Sequence, residues 1–472
     1  MTATAALLSD HTAADAVFAW RRGQPITRTR FLADVQRLAE VLPDRGHVLN
    51  VCTDRYRFAV GLGAALVRAQ VSLLPPSTHA TIVAQLVARF RDTYCLAETA
   101  QADIDLPQTL YDDAFAAPTT ADVVSMPRIP LDRTVACVFT SGSTGVPTMH
   151  RKRWGSLVVN VRSEAERLAC DGRASPIAIV ATVPPQHMYG FESSLLMAWQ
   201  SGAALVAERP FYPADIVAAL DRIPGRRMLV TTPFHLRALL EEAATLPAVD
   251  RIVCATAPLS QALAATAEQR FGAPVLEVYG CTETGQLATR HTTQDLRWQL
   301  LGTIDLAVDA NGHATASGGH IDQPTRLSDV LEAAPDFASS RRFTLVGRSS
   351  DLVNIAGKRT SLGHLDVQLN AIDGVLDGVF VMPDDDRASQ DGVTRLAAVV
   401  VAPTLDAARL LAALRTRIDA VFLPRPIHFV DALPRNATGK LTQATLQQLL
   451  AGVGRPGARN AAPHDDRGAS LR

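Results

Sequence analysis

Four short segments of this chain combine residue types that suit the handling of phosphates. The first is Thr140-Ser141-Gly142-Ser143-Thr144-Gly145-Val146-Pro147. Glycines let a backbone approach phosphates closely, and exposed N–H and hydroxyl groups donate hydrogen bonds to anionic oxygens. The run lacks the Gly-Lys pair of a Walker loop, and the spacing of a hydrolase nucleophile elbow does not fit it. The second segment is Glu277-Val278-Tyr279-Gly280-Cys281-Thr282-Glu283-Thr284. A carboxylate there suits Mg²⁺, and an aromatic ring suits a nucleobase. The third is Gly347-Arg348-Ser349-Ser350-Asp351, with Gly357-Lys358-Arg359 close behind. The fourth, Leu433-Pro434-Arg435-Asn436-Ala437-Thr438-Gly439-Lys440, puts a lysine after a small-residue turn. Taken singly, each has a plainer reading: a flexible turn, a solvated acid, a charged linker and a surface lysine.

The surrounding pattern supplies elements to position them. Helical spacing in 31–42 and 58–70 alternates with short apolar runs at 47–53 and 71–76, the rhythm of βαβ units and a parallel sheet. Residues 99–130 are mixed and polar, and read as a surface excursion. Residues 133–140 read as a strand running straight into the Ser/Gly/Thr loop. Further strands are expected at 176–182, 203–208, 227–232, 251–256 and 274–280. The last of these sets Tyr279 and Glu283 at a strand's C-terminal end, where open α/β sheets bind ligands.

The texture changes after 346. Strands at 378–383 and 395–403 and a helix at 405–418 read as a second, smaller α/β unit. The fold class expected is therefore α/β. A large N-terminal domain (1–346) carries mixed and parallel sheets flanked by helices, and a small mobile C-terminal domain (347–451) follows a hinge at about 347–351. The Gly-, Ala-, Arg- and Pro-rich end, 452–472, is expected to be disordered.

Composition narrows the functional class. The 472 residues are 47% hydrophobic and 20% charged with a formal net charge of -1, which suits a globular protein and offers no basic footprint for nucleic acid. Six cysteines are scattered without a CxxC pair or zinc-ligand spacing, as for thiols in a reducing cytosol. The N-terminus lacks the basic flank and apolar stretch of a signal peptide, and no apolar run reaches the ~18 residues of a membrane span. A cytoplasmic location is expected.

In their order and spacing, from about 133 to 440, the four segments resemble the adenylate-forming superfamily of acyl-CoA synthetases, aryl acid ligases, luciferases and peptide-synthetase adenylation domains. The resemblance implies ATP, Mg²⁺, and either CoA or phosphopantetheine. It implies that Thr140, Ser141, Gly142, Ser143, Thr144 and Gly145 wrap the ATP phosphates, and that Thr256, Ala257 and Pro258 lie beside adenine and the acyl substrate. Tyr279, with Gly280, would stack on adenine, Thr282 would meet the α-phosphate and Glu283 would coordinate Mg²⁺. Asp329 would hold the ribose hydroxyls and Arg348 the ribose or phosphate. Gly357 would let a pantetheine arm pass, and Lys440 would bridge the carboxylate and the α-phosphate. His187, in Pro184-Pro185-Gln186-His187-Met188-Tyr189-Gly190-Phe191-Glu192, falls near the carboxylate or the thiol tunnel.

Three departures stand out. The phosphate loop ends Pro147-Thr148 where the family has Pro-Lys, leaving Arg151 or Lys152 as a replacement cation. Leu327-Ser328 replaces Thr-Gly before Asp329, and Ser350 occupies a hinge position where relatives carry Asp or Lys.

The implied reaction is in-line attack of a carboxylate on the α-phosphorus, loss of pyrophosphate, and transfer of the acyl group to a thiol. Met188 stands where amino-acid-activating relatives place an Asp, with Glu192 further along, which argues for an acid without an α-amine. Tyr and Phe among small residues such as Ala257 and Gly280 favour an aryl or hydroxyaryl acid, with medium-chain and 3-hydroxyacyl acids as alternatives. The thiol belongs either to CoA or to an acyl or aryl carrier protein. A catalytically quiet AMP- or ATP-binding partner or sensor is the rival class, motivated by Thr148 and Ser350. A dinucleotide oxidoreductase is rejected, because Gly61-Leu62-Gly63 is followed by Leu66 and no strand-to-loop context supports it.

Overall fold

The computed structural model describes residues 4–112, 125–140, 148–169, 176–348, 351–355, 358–382, 396–435, 441, 445–446 and 449–450. Its larger sheet has thirteen strands among the described residues. At its centre six strands run parallel in the order Val275–Cys281, Arg251–Cys254, Arg227–Thr231, Ala178–Ala181, Ala204–Val206 and Val17–Arg21. These strands are short and nearly continuously apolar, because helices cover both of their faces. One core gathers Ile179, Met228 and Val253 with Phe18, Phe31 and Trp199. The other gathers Val180, Leu229 and Ile252 with Ile216, Leu236 and Leu239.

The sheet then changes character. Val275–Cys281 turns back through Gly285–His291, and four more antiparallel strands (298–300, 342–348, 325–333 and 313–318) lead to Ile304–Val308 at the edge. Here one face is buried and the other solvated, as in strand 304–308, whose residues alternate between buried and exposed for most of its length.

A second sheet of six strands runs in the order 148–153, 134–140, 71–74, 47–50, 93–97 and 108–110. All its pairs are parallel except the hairpin of Thr134–Thr140 with Thr148–Arg153. Two of its helices start on side-chain caps. Thr27 accepts from the Arg30 N–H before helix Arg28–Val41, and Asp54 accepts from the Arg57 N–H before helix Arg55–Val67. The segment expected to wander over the surface contributes two short strands, Gln108–Leu110 and Arg128–Pro130, and buries Ile104 and Ile129.

The chain divides into two compact units, with the change at Val367/Gln368 inside helix Leu362–Asn370. The second unit carries strands Asp377–Val381, Ala397–Val401 and Ile427–Phe429 with helix Ala407–Arg415. Among the described residues no helix is long and apolar enough to cross a membrane. Residues 452–472 lie outside the described residues.

Candidate active site

The hairpin 134–140/148–153 sets the first wall of the site. Its register places Thr148 opposite Thr140, so both ends of the Ser/Gly/Thr loop are fixed by the strand pair. Ser141, Gly142, Ser143, Thr144 and Gly145 themselves lie outside the described residues. Strand alternation puts Thr148, His150 and Lys152 on one face of the second strand and Arg151 on the other. Arg151 is exposed. His150 lies inward, its Nε2 3.1 Å from Thr140 Oγ1 and 3.9 Å from Glu283 Oε1. Lys152 is 7% exposed, and its Nζ donates to the Thr282 carbonyl at 2.5 Å and the Glu283 carbonyl at 3.4 Å. Of the two cations considered for the missing loop lysine, then, Lys152 faces the site and Arg151 does not. Lys152 already serves as a strut between the hairpin and the 279–284 turn.

That turn follows strand Val275–Cys281. The Glu283 side chain is 41% exposed. Burial alone would push its carboxyl up, but its own backbone N–H, Cys281, His150 and Lys152 together hold it below the ordinary carboxylate range. It therefore stays ionised at neutral pH. Among the described residues no group of three His, Cys, Asp or Glu side chains could hold a metal. A single ionised, accessible carboxylate suits Mg²⁺, which takes one or two protein oxygens and completes its shell with phosphate oxygens and water.

Tyr279 is 9% exposed, its ring 5.5 Å from Trp298 and 5.9 Å from Phe343. Its hydroxyl donates to Asp329 Oδ2 at 2.7 Å, which joins two residues fifty positions apart. Asp329 in turn pairs with Arg348 across neighbouring strands, so both ribose-side candidates share one rung of the ladder. Gly280 follows a register shift in the strand, and a Cβ there would lie 2.3 Å from the Gly285 carbonyl oxygen. Only glycine permits that approach.

The turn after Arg251–Cys254 carries Thr256, Ala257 and Pro258. Thr256 has φ +81°, a strained value for a β-branched residue. Glu277 braces this turn, accepting from the Leu259 N–H at 3.2 Å and from Arg290 Nε at 2.6 Å.

His187 begins the helical run that covers this end of the sheet, and its carbonyl accepts from the Phe191 N–H at 2.7 Å. The run passes into a π-helical turn at Phe191–Leu196, a form frequent at functional sites. Tyr189 anchors it by donating to the carbonyls of Val253 (2.9 Å) and Thr231 (3.2 Å). From beneath, the fully buried Arg55 donates to the carbonyls of Ala181 and Val183 and to Ser194. Lys440 and Gly357 lie outside the described residues, as does the side chain of Arg348.

The structure thus brings together Thr140, Thr282 and Glu283, and separately Tyr279 and Asp329. Sequence reasoning passed over His150 and Arg55. Alternation along 148–153 would have found His150, since it shares a face with Thr148. No local signal marks Arg55, whose partners lie more than 120 residues away.

A family model for AMP-binding enzymes matches residues 3–312. The chain is 30% identical over 318 residues to a 4-coumarate–CoA ligase of Rhodobacter capsulatus, covering 65% of this chain and 75% of that one. It is 20% identical over 318 residues to a 3,4-dihydroxybenzoate–[aryl-carrier protein] ligase of Bacillus anthracis, covering 66% and 72%. ATP-bound MatB from Rhodopseudomonas palustris shares the fold with a TM-score of 0.76 at 18% identity, over 93% of this chain and 97% of that one. The o-succinylbenzoate CoA synthetase of Bacillus subtilis, solved with its acyl-adenylate intermediate, gives 0.77 at 16% identity over 92% and 95%. The doubly covered parallel sheet and the family match over residues 3–312 agree: this chain belongs to the AMP-binding enzyme family of the adenylate-forming superfamily.

Proposed function

We propose that the protein is an ATP-dependent acid–thiol ligase that forms an acyl-adenylate with release of pyrophosphate and passes the acyl group to CoA or a carrier-protein phosphopantetheine. The observation that carries this reading is Glu283, held ionised beside Thr282 at the end of the strand that also presents Tyr279, itself bonded to Asp329. In this assignment Asp329, supported by Tyr279, takes the ribose hydroxyls, with Arg348 beside it. Thr140 and Ser141–Gly145 embrace the phosphates, and Thr282 reaches the α-phosphate. Thr256, Ala257, Pro258 and Gly280 line the adenine and acyl side. Mg²⁺, held by Glu283, would neutralise charge on the phosphoryl oxygens as pyrophosphate departs. Lys440 supplies the second positive charge at the α-phosphate, where a fixed cation in a water-poor cleft is worth most. His187 guards the carboxylate or the thiol path, and Gly357 leaves room for the pantetheine arm.

The substrate proposed is an aryl or hydroxyaryl acid. The relatives named for 4-coumarate and 3,4-dihydroxybenzoate support that class, and they differ in acceptor, one using CoA and the other a carrier protein. The smaller domain (347–451), hinged at about 347–351, would carry Lys440 in and out of the site, and the enzyme would work in the cytoplasm. One assay tests the reading: pyrophosphate release with Mg²⁺-ATP across aryl, hydroxyaryl, medium-chain and 3-hydroxy acids. Each acid is run alone, with CoA and with a phosphopantetheinylated carrier, and products are read by mass spectrometry. Acid-dependent release with a thioester product is expected. ATP binding without release from any acid would instead support a quiet nucleotide-binding protein.

A further inference from the structure

Behind the 280–286 turn lies a buried polar cluster that none of the roles above uses. Glu164 and Asn160 sit one helical turn apart on helix Trp154–Arg167, and Ser193 and Glu192 belong to the π-helical run that follows His187. Gln286 lies on the return strand, directly opposite Gly280. Glu164 is 0% and Gln286 3% exposed. Gln286 Nε2 donates to Ser193 Oγ at 2.6 Å, and Asn160 Nδ2 donates to Glu192 Oε1 at 2.6 Å. Four oxygens then find no hydrogen-bond partner among the described residues: both of Glu164, Oε1 of Gln286 and Oδ1 of Asn160. Ser193 and Gln286 lie close enough to favour the charged form of Glu164, yet neither makes a well-formed bond to it. A buried acceptor left unmatched costs about 1–3 kcal/mol. Burial holds Glu164 protonated at neutral pH, so the four oxygens share its own hydroxyl hydrogen and that of Ser193, and the site is still short of donors.

Its position connects it to the acid. Ser193 lies six residues beyond His187 in the same helical run, and Gln286 pairs with the glycine between Tyr279 and Thr282. Glu164 also acts electrostatically on the buried Tyr189 hydroxyl, which is anchored to the strand ends at Thr231 and Val253. Asn160 and Glu192 face a cavity of about 300 Å³ that reaches to Glu283 and His150. We propose that this cluster closes the acid-binding pocket and selects acids bearing a hydroxyl or amino group remote from the carboxylate, which donates to Glu164 and Gln286 Oε1. The inference rests on the ligase reading above. It explains why a carboxyl remains at a position where an apolar side chain would relieve a stability penalty.

The test uses the full chain and matched acids: benzoate against 3-hydroxy-, 4-hydroxy-, 4-amino- and 4-methoxybenzoate, and cinnamate against 4-coumarate. Wild-type kcat/KM is expected to favour the best donor-bearing acid over its donor-free partner by ~10²-fold or more, because a site built to bond a polar group rejects the analogue lacking it. Glu164→Leu should collapse that ratio to a few-fold while raising Tm, and Glu164→Gln should keep part of it. The hydroxy and amino arms identify the donor, and the methoxy arm separates donation from size. Wild-type indifference within every pair would overturn the proposal. So would a Glu164→Leu protein that loses both members of a pair equally and unfolds at lower temperature, since that marks a purely structural network. If no acid releases pyrophosphate, the ligase reading fails on its own. Calorimetric binding of the same pairs then decides the pocket: a preference for the donor-bearing acid that Glu164→Gln weakens supports it, and equal binding overturns it.

Discussion

At the scale of single residues, the carboxylate proposed to hold Mg²⁺ is the sharpest feature. The Glu283 side chain is half-exposed and its ion-pair contact, to His150, is a long 3.9 Å, so it contributes little to the fold. Its ionisation is maintained by hydrogen bonds and by Lys152, brought from the opposite hairpin. Glu283→Gln is therefore expected to lower kcat/KM for ATP by about 10²–10³-fold and to raise the Mg²⁺ needed for half-maximal rate. Unfolding stability should change by less than ~1 kcal/mol. A urea titration beside a Mg²⁺ titration separates these outcomes, and a large stability loss with an unchanged metal requirement would return Glu283 to a structural role. The residue types proposed for this site stand together in the sequence, an acid, a ring and a glycine within seven positions. The supports do not. Tyr279 and Asp329 are fifty residues apart, and Lys152 reaches Thr282 across 130. Contacts of that range leave no local periodicity to read.

At the scale of elements, the parallel strands were readable because helices cover both of their faces, so each is a short unbroken apolar run bounded by turn residues. Expected strands at 227–232, 251–256 and 274–280 correspond to Arg227–Thr231, Arg251–Cys254 and Val275–Cys281. The antiparallel stretch from Gly285 to Ala333 was largely silent. Its strands carry polar residues at buried positions, such as Gln286 and Thr289, and at exposed ones, such as Asp305, so no apolar run announces them. Yet this stretch positions the site, since Gly280 lies against its first strand. A Cβ at Gly280 meets backbone, with Gly285 O at 2.3 Å and Gln286 Cα at 2.8 Å, and backbone in a paired strand cannot step aside cheaply. Gly280→Ala is expected to destabilise the protein by about 1–3 kcal/mol. It should also depress adenylation more than that loss explains, because the displaced strand carries Tyr279 and leads straight into Thr282. A variant with full activity per folded molecule, counted by active-site titration, would show that the close approach serves packing alone.

At the scale of the whole molecule, division of labour and ionisation both become testable. Lys440 follows the division at Val367/Gln368 in the sequence, and every other proposed catalytic group precedes it. Lys440→Ala should cut pyrophosphate release by ~10²–10³-fold. It should leave thiolation of a supplied acyl-adenylate within a few-fold of wild type, and equal loss of both half-reactions would sink the two-step assignment. Ionisation sets a separate, opposed pair of pH dependences. Burial pushes His11, His235 and His320 down to about 4. The folded state therefore prefers them neutral, and the stability they lend is complete above about 6.5 and lost as pH falls towards 4. Burial pushes Glu164 the other way, up to about 8, against the opposing pull of Ser193 and Gln286. Its folded form prefers the proton, so its contribution is complete below the ordinary glutamate range and is lost as pH rises through 8. Glu164→Gln removes only the second dependence. Its stability relative to wild type should therefore rise between pH 5 and pH 8.5, by a few kcal/mol at about 1.4 kcal/mol per pKa unit. The acid-side loss from the three histidines should be the same in both proteins. Urea midpoints measured across that range decide it: curves that diverge above pH 6 place an unpaired carboxyl in the core, whereas parallel curves would mean that Glu164 is partnered or solvated after all.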